Sequence, residues 1–123
     1  MAKNQHILRS FQHAFTGIKY TLVHEKNCRI HMLATILVIL LSAWLNLSLI
    51  EWAVICVVIG MVWAAELFNT ALEAFFDLIH PEKNNLVEAG KDSAAGAVLI
   101  CAVVSVIVGL LILGPPLFHK LFG

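Results

Sequence analysis

The chain has 123 residues, 60% of them hydrophobic, and its eight basic and eight acidic side chains give a formal net charge of zero. A mean hydropathy of +0.88 with only 13% charged residues is typical of an integral membrane protein, and the length fits one domain over residues 1–123. The balanced charge gives no indication of a nucleic-acid partner, and three scattered cysteines argue against a disulfide framework or a zinc site.

The first predicted element is an amphipathic helix over residues 5–23. Apolar residues recur at the 3.6-residue spacing of one helix face, and basic and polar residues take the other face. A basic amphipathic helix that precedes the first apolar run is expected to lie in the membrane interface. Packing of this helix on a helix bundle is the alternative.

Three membrane-spanning helices are predicted next, over residues 31–47, 49–79 and 92–113. The first is short compared with the ~20 residues that usually cross a bilayer. The second is about 45 Å long at the standard rise per residue. It therefore extends beyond the ~30 Å hydrocarbon core of a membrane.

Two breaks in the apolar pattern are expected to end helices. The segment from His80 to Gly90 is polar and contains Pro81, so it is interpreted as a loop. Gly114, followed by two prolines, is interpreted as the end of the third span.

The basic residues predict the orientation of the chain. Five of them precede the first span, none lies between the first two spans, and Lys83 and Lys91 lie near the second connection. The positive-inside rule therefore places the N-terminus and the second connection in the cytoplasm.

Four polar side chains share one face of the second predicted span. They are Glu66, Asn69, Glu73 and Asp77. Their spacings of 3, 4 and 4 residues place them in one narrow arc at about 100° per residue. Carboxylates in or near lipid are costly, and they usually mark a functional site that faces protein or water. Because Glu66 lies about 25 Å along the helix, the site is expected at the inner edge of the bilayer.

Lys91 and Asp92 follow at the expected start of the third span. A helix N-terminus with a lysine suits phosphate oxygens, and carboxylates suit a Mg²⁺ ion that bridges to substrate phosphates. One further carboxylate can accept a proton from an alcohol. The pattern therefore indicates a phosphoryl-transfer site. The alternative is that the charges at this corner only pair with each other.

Other polar residues carry weaker signals. Glu25 precedes the first span, and its position alone favours a solvated charge beside the membrane. The six histidines are scattered and are interpreted as packing or interface residues. The chain contains no G-x-x-x-x-G-K-[ST] motif, so any ATP site differs from the common soluble phosphate loop.

The polar face resembles a known family. The segments ELFNTALEAFFD, from Glu66 to Asp77, and KDSAAGAVL, from Lys91 to Leu99, resemble the prokaryotic diacylglycerol kinase family, which includes undecaprenol kinases. The similarity extends over nearly the whole chain. It implies an all-α membrane protein with an N-terminal amphipathic surface helix plus three transmembrane helices per subunit. It also implies a homotrimeric bundle whose active sites are shared between subunits.

The resemblance implies a role for each residue of the polar face. Glu66 matches the general base that activates the lipid hydroxyl. Glu25 and Glu73 match the carboxylates that hold Mg²⁺ on ATP. The resemblance therefore favours a functional role for Glu25 over that of a solvated surface charge. Asn69 and Asp77 match polar residues that support the site.

The resemblance also implies the substrate contacts. The residues matched to the nucleotide are Glu25, Glu73, Glu82, Lys83, Asn84, Lys91 and Asp92. Arg9 and Glu66 are matched to the lipid substrate. The chain departs from better-known members at Lys83-Asn84, where those members often carry Tyr-His.

The sequence therefore predicts a multi-pass lipid kinase of the bacterial inner membrane. It would use Mg²⁺ and ATP to phosphorylate diacylglycerol or undecaprenol. The alternative is a small proton- or cation-coupled transporter that uses Glu66, and a third option is a non-catalytic membrane scaffold. A transporter is disfavoured because the first and third spans are interpreted as free of ionisable side chains.

Overall fold

The computed structural model describes residues 2–123, and this part of the chain folds into four α-helices. They are α1 (Ala2–His24), α2 (Lys26–Trp44), α3 (Leu49–Ile79) and α4 (Asn85–Phe122). Each of α2, α3 and α4 is long and apolar enough to cross a membrane. The predicted all-helical fold with three long apolar helices is confirmed.

The α1 helix contains the whole of the predicted segment 5–23. It exposes large apolar side chains, among them Ile7, Phe11 and Phe15. Its C-terminal half, from His13 to Thr21, lies against α3 beside Leu67 to Ala74. The location of α1 in the membrane interface stays a prediction.

A short turn connects α2 to α3 and reverses the chain. Asn46 adopts a positive φ of 54°, a conformation that asparagine tolerates better than most residues. The Ser48 hydroxyl accepts a hydrogen bond from the backbone N–H of Glu51, and the Glu51 carboxylate accepts one from the N–H of Ser48. This reciprocal cap fixes the start of α3 at Leu49, so the bounds of α3 agree with residues 49–79. The preceding helix begins earlier than residue 31 and ends before residue 47.

The predicted loop from His80 to Gly90 is wrong in its second half. Asn84 caps α4, because its Oδ1 accepts hydrogen bonds from the backbone N–H groups of Leu86 and Val87. The helix therefore begins at Asn85 and includes Gly90. A Cβ atom at Gly90 would lie 2.9 Å from the ring of Phe76, so this glycine marks a close approach of α4 to α3.

The predicted stop at Gly114 is also wrong, because α4 continues through Pro115 and Pro116 to Phe122. Each proline lacks one backbone N–H, a loss that apolar helices tolerate where neighbouring groups compensate. Beyond the prolines, Nζ of Lys120 donates to the backbone oxygen of Trp44 and lies 4.4 Å from the centroid of its ring. This contact holds the last turns of α4 against the end of α2.

The main packing interface lies between α3 and α4. Its buried apolar side chains include Val58 and Val62 of α3 and Leu113 of α4. Most other large apolar side chains of the described residues are exposed. A surface of this kind faces lipid or neighbouring protein chains. The predicted homotrimer remains untested by a single chain.

Candidate active site

Glu66 is buried inside the helical bundle. Its side chain is 2% exposed, and its Oε1 lies 3.1 Å from Nε2 of His31 on α2. The ring N–H is not aligned for a regular hydrogen bond to this oxygen. Such contacts are often imperfectly aligned before a substrate binds. The structure therefore pairs the central carboxylate of the polar face with a histidine of another helix.

His31, which was interpreted with the other histidines as a packing or interface residue, lies between α2 and α3 against Glu66. The interpretation of the first span as free of ionisable groups is wrong, because His31 lies within α2. One signal was available, since an imidazole at the edge of an apolar run is itself unusual. The sequence alone, however, does not show which residue of α2 lies opposite a given residue of α3.

A second polar contact lies one helical turn from this pair. Nε1 of Trp63 donates to Oγ1 of Thr35 over 3.0 Å, and Thr35 Oγ1 donates to the backbone oxygen of His31 over 2.7 Å. The two contacts form the polar ladder, defined as His31–Glu66 and Thr35–Trp63. Because both contacts join α2 to α3, the polar ladder fixes the position of one helix along the axis of the other.

Two further carboxylates lie near Glu66. Glu25, between α1 and α2, and Glu73, two turns along α3, are within electrostatic range of the Glu66 carboxylate. Cys28, which is fully buried, lies within range of both Glu25 and Glu66. The charges of these three acidic residues therefore influence one another, although no hydrogen bond joins their side chains within residues 2–123.

Arg29 holds the corner that presents Glu25. Its Nη1 donates to the backbone oxygens of Leu22 and Val23 over 3.2 and 2.8 Å, and so satisfies carbonyl groups in the last turn of α1. Glu25 occupies the N-cap position of α2, but its side chain makes no capping hydrogen bond. The carboxylate is therefore held at a fixed corner and stays free to bind a ligand.

Replacing Arg29 with glutamine should loosen this corner. The variant loses the charged donor on the α1 carbonyls, so we expect faster backbone amide exchange around Val23 and Glu25. Hydrogen–deuterium exchange in detergent micelles measures this effect. Lys26→Gln is the matched control, because Lys26 is exposed at the same corner. Equal exchange in the two variants would contradict the role of Arg29.

Lys91 is placed differently from the prediction. It lies within α4, about two turns after Asn85, and not at the helix N-terminus. Its Nζ forms an ion pair with Oδ1 of Asp77, and Glu73 and Glu88 also lie within electrostatic range. The alternative of mutual pairing thus holds for Asp77 and Lys91. The same pair joins α3 to α4 beside Glu73.

Asn69 contributes a buried acceptor to the polar face. Its Oδ1 has no hydrogen-bond partner within residues 2–123. A buried amide oxygen is normally satisfied, so an unpaired one is expected to face a ligand, a water molecule or another protein chain.

The remaining candidate residues lie outside the buried cluster. Glu82 and Lys83 are exposed in the connection between α3 and α4, and Asn84 uses its side-chain oxygen to cap α4. Asp92 is exposed on α4, and Arg9 is exposed on α1. The structure brings none of these side chains into contact with Glu66, so their substrate contacts stay predictions.

The donor chemistry of Glu25 and Glu73 is compatible with a magnesium ion. No group of three or more His, Cys, Asp or Glu side chains could hold a metal within the described range 2–123. Mg²⁺ commonly takes one or two carboxylates and completes its shell with water and substrate phosphates. Glu25 and Glu73 are oxygen ligands of the type that such an ion prefers.

An apolar groove of about 390 Å³ starts at His31. It lies between α2, α3 and α4 and continues to Leu117 near the far end of α4. Its walls are almost entirely apolar, with hydroxyl groups only at Thr35 and Ser105. A groove of this composition suits a hydrocarbon chain.

Comparison with known proteins gives one consistent family. The profile described as prokaryotic diacylglycerol kinase matches residues 12–113. An undecaprenol kinase of Bacillus subtilis is 44% identical over 109 residues, which cover 89% of both chains. A diacylglycerol kinase of Synechocystis is 40% identical over 90% of this chain and 64% of its own length. A diacylglycerol kinase of Escherichia coli is 28% identical over 82% of this chain and 83% of its own length.

Proposed function

Since the chain belongs to the prokaryotic diacylglycerol kinase family, we propose that Glu66 activates the hydroxyl group of a lipid alcohol for phosphorylation by ATP. The chain is a multi-pass membrane lipid kinase. The transporter alternative has no support among the relatives, and the family match decides against it. The predicted absence of ionisable groups from the first span gives no evidence against a transporter, because His31 lies in that span.

The buried Glu66 carboxylate is the observation that carries this proposal. It lies beside the start of an apolar groove and within electrostatic range of Glu25 and Glu73. As general base, it takes the proton of the lipid hydroxyl while the oxygen forms a bond to the γ-phosphorus. The bond from that phosphorus to the bridging oxygen breaks, and ADP leaves with the electron pair.

The nucleotide is proposed to dock on the aqueous side of Glu66. Glu25 and Glu73 would hold Mg²⁺, which supplies charge neutralisation on the phosphates when bound. Lys91 lies within electrostatic range of Glu73 and can pair with phosphate oxygens. Asp92, Glu82, Lys83 and Asn84 would contact the rest of the nucleotide.

The lipid is proposed to enter sideways from the bilayer. Its apolar body would occupy the groove that runs from His31 to Leu117, and its hydroxyl would point toward Glu66. Arg9 on the exposed part of α1 would contact the lipid substrate at the anionic membrane surface. Both diacylglycerol and undecaprenol present a primary hydroxyl on a long apolar body, and the relatives include kinases of both names.

The proposed assembly is a homotrimer in the bacterial inner membrane. The exposed apolar side chains of α2 and α4 give neighbouring subunits a surface to pack against. The α1 helix would lie on the cytoplasmic surface, with the N-terminus in the cytoplasm. This orientation places the acidic cluster where ATP is available.

The direct test is phosphoryl transfer by the purified protein. We expect transfer from radiolabelled ATP to undecaprenol, to diacylglycerol or to both, and only when Mg²⁺ is present. The labelled lipid is separated by thin-layer chromatography, and a triacylglycerol, which has no free hydroxyl group, serves as the negative control. Absence of labelled product with every lipid alcohol would refute the proposed function.

A further inference from the structure

His31 has no role in the proposed reaction, yet its ring lies against the carboxylate of the base. Its Nε2 lies 3.1 Å from Oε1 of Glu66. Among residues 2–123, no other side chain forms an ion pair or hydrogen bond with the Glu66 carboxylate. A carboxylate that is buried without a partner is strongly disfavoured. His31 is therefore the side chain of the described residues that is placed to stabilise the buried Glu66 carboxylate.

The polar ladder gives this contact a defined geometry. Thr35 binds the backbone oxygen of His31 from one side and receives the indole N–H of Trp63 from the other. These two hydrogen bonds hold the backbone of α2 at His31 in a fixed position relative to α3. Glu66 lies on α3 about one turn from Trp63, so its backbone is held at the same level. The position of Oε1 is thus determined by two helices rather than by the Glu66 side chain alone.

The same imidazole also lines the apolar groove. One edge of His31 contacts the base, and the ring forms part of the wall along which the lipid would lie. A group in this place can couple the position of the carboxylate to the position of the hydroxyl. Close positioning of reacting groups is worth large factors in rate, and misplacement by about 1 Å can cost 10²-fold.

We infer that His31 is a positioning residue whose Nε2–H holds Oε1 of Glu66 and leaves Oε2 to accept the proton of the lipid hydroxyl. This assignment rests on the proposed function, because it gives His31 its role through the base. The imidazole neither takes a proton nor touches the nucleotide. Its contribution is to hold a buried carboxylate in one orientation at the start of the groove.

Three variants test this inference by kinetics. His31→Leu removes the donor and should lower kcat by about 10²-fold, with the KM for Mg·ATP nearly unchanged. His31→Gln keeps an N–H donor near the position of Nε2 and should recover most of that loss. Trp63→Phe breaks the neighbouring rung but keeps the His31 donor, so it should lower kcat by a clearly smaller factor than His31→Leu.

Several results would overturn the inference. Wild-type kcat in His31→Leu would show that Glu66 needs no partner. A folded His31→Gln protein that is as inactive as His31→Leu would exclude a donor role. Losses of equal size in His31→Leu and Trp63→Phe would show that the ladder only packs α2 on α3. Circular dichroism and size-exclusion chromatography establish that each variant is folded.

Infrared spectroscopy gives a readout that does not need enzymatic activity. The carboxylate stretch of Glu66 is identified as the band that disappears in Glu66→Gln. This band should shift in His31→Leu and shift by a smaller amount in Trp63→Phe. An unshifted band in His31→Leu would refute the pairing itself. If the wild type phosphorylates no lipid, the proposed function fails, and the infrared result still decides on the pair.

Discussion

Replacing Glu66 with glutamine is expected to lower kcat for lipid phosphorylation by about 10³-fold, within the range typical of a lost general base. The amide is nearly the same size as the carboxylate but cannot take the proton of the lipid hydroxyl. Burial makes the effect large, because the side chain is 2% exposed and water has little access to replace it. Transfer of radiolabelled phosphate to the lipid measures the change.

Glu51→Gln is the matched control for this variant. Glu51 lies on the same helix, at its opposite end, and glutamine can take its place in the capping box with Ser48. We expect near-normal activity and an unchanged thermal unfolding midpoint for this control. A folded Glu66→Gln protein with near-normal kcat would remove Glu66 from the role of base.

Replacing Glu73 with glutamine should mainly change the magnesium requirement. Glu73 is half-buried, lies within electrostatic range of Glu66 and Lys91, and is one of only two carboxylates assigned to the ion. Loss of one charged ligand should raise the Mg²⁺ concentration for half-maximal activity by roughly 10- to 100-fold. A titration of kinase activity against MgCl₂ at fixed ATP measures this shift.

Glu88→Gln controls for the general loss of a negative charge near the site. Glu88 is exposed on α4 and lies within electrostatic range of Lys91, but it has no assigned role. Its magnesium titration should match that of the wild type. A Glu73→Gln curve that coincides with the wild-type curve would refute the role of Glu73 as a metal ligand.

The regular features of the fold were predictable from local sequence. The bounds of α3 follow from an apolar run that starts after a polar turn, where Ser48 and Glu51 cap the helix. The shared face of Glu66, Asn69 and Glu73 follows from helical periodicity. These signals depend only on residues that are close in sequence, so the sequence alone was sufficient to predict the helix bounds and the shared face.

The errors arose where contacts between helices override local signals. Gly90 was interpreted as the end of a loop, but its missing side chain allows α4 to approach Phe76. Pro115 was interpreted as part of the segment that ends the helix, but α4 continues past it, and Lys120 joins α4 to Trp44. Such contacts are made by residues that are far apart in the chain, and a single sequence does not reveal them.

The partner of Glu66 was missed for the same reason. Periodicity places residues on one face of one helix, whereas His31 reaches Glu66 from a different helix. The tight turn at Asn46 and the polar ladder determine how far α2 slides along α3, and with it which side chains meet. The acids were therefore predictable as a set, and the histidine was not.

The three helices that are long enough to cross a membrane also bear on where the ends of the chain would emerge. Lys91 contacts Asp77 at one end of the bundle, and Lys120 contacts Trp44 at the other, so α4 traverses its full length. Three crossings by α2, α3 and α4 would place the two termini on opposite sides of the membrane. In the proposed orientation, we expect a peptide tag joined before Ala2 to stay inside the cell and one joined after Gly123 to emerge on the outer side. Antibodies applied to intact spheroplasts would accordingly recognise only the second tag.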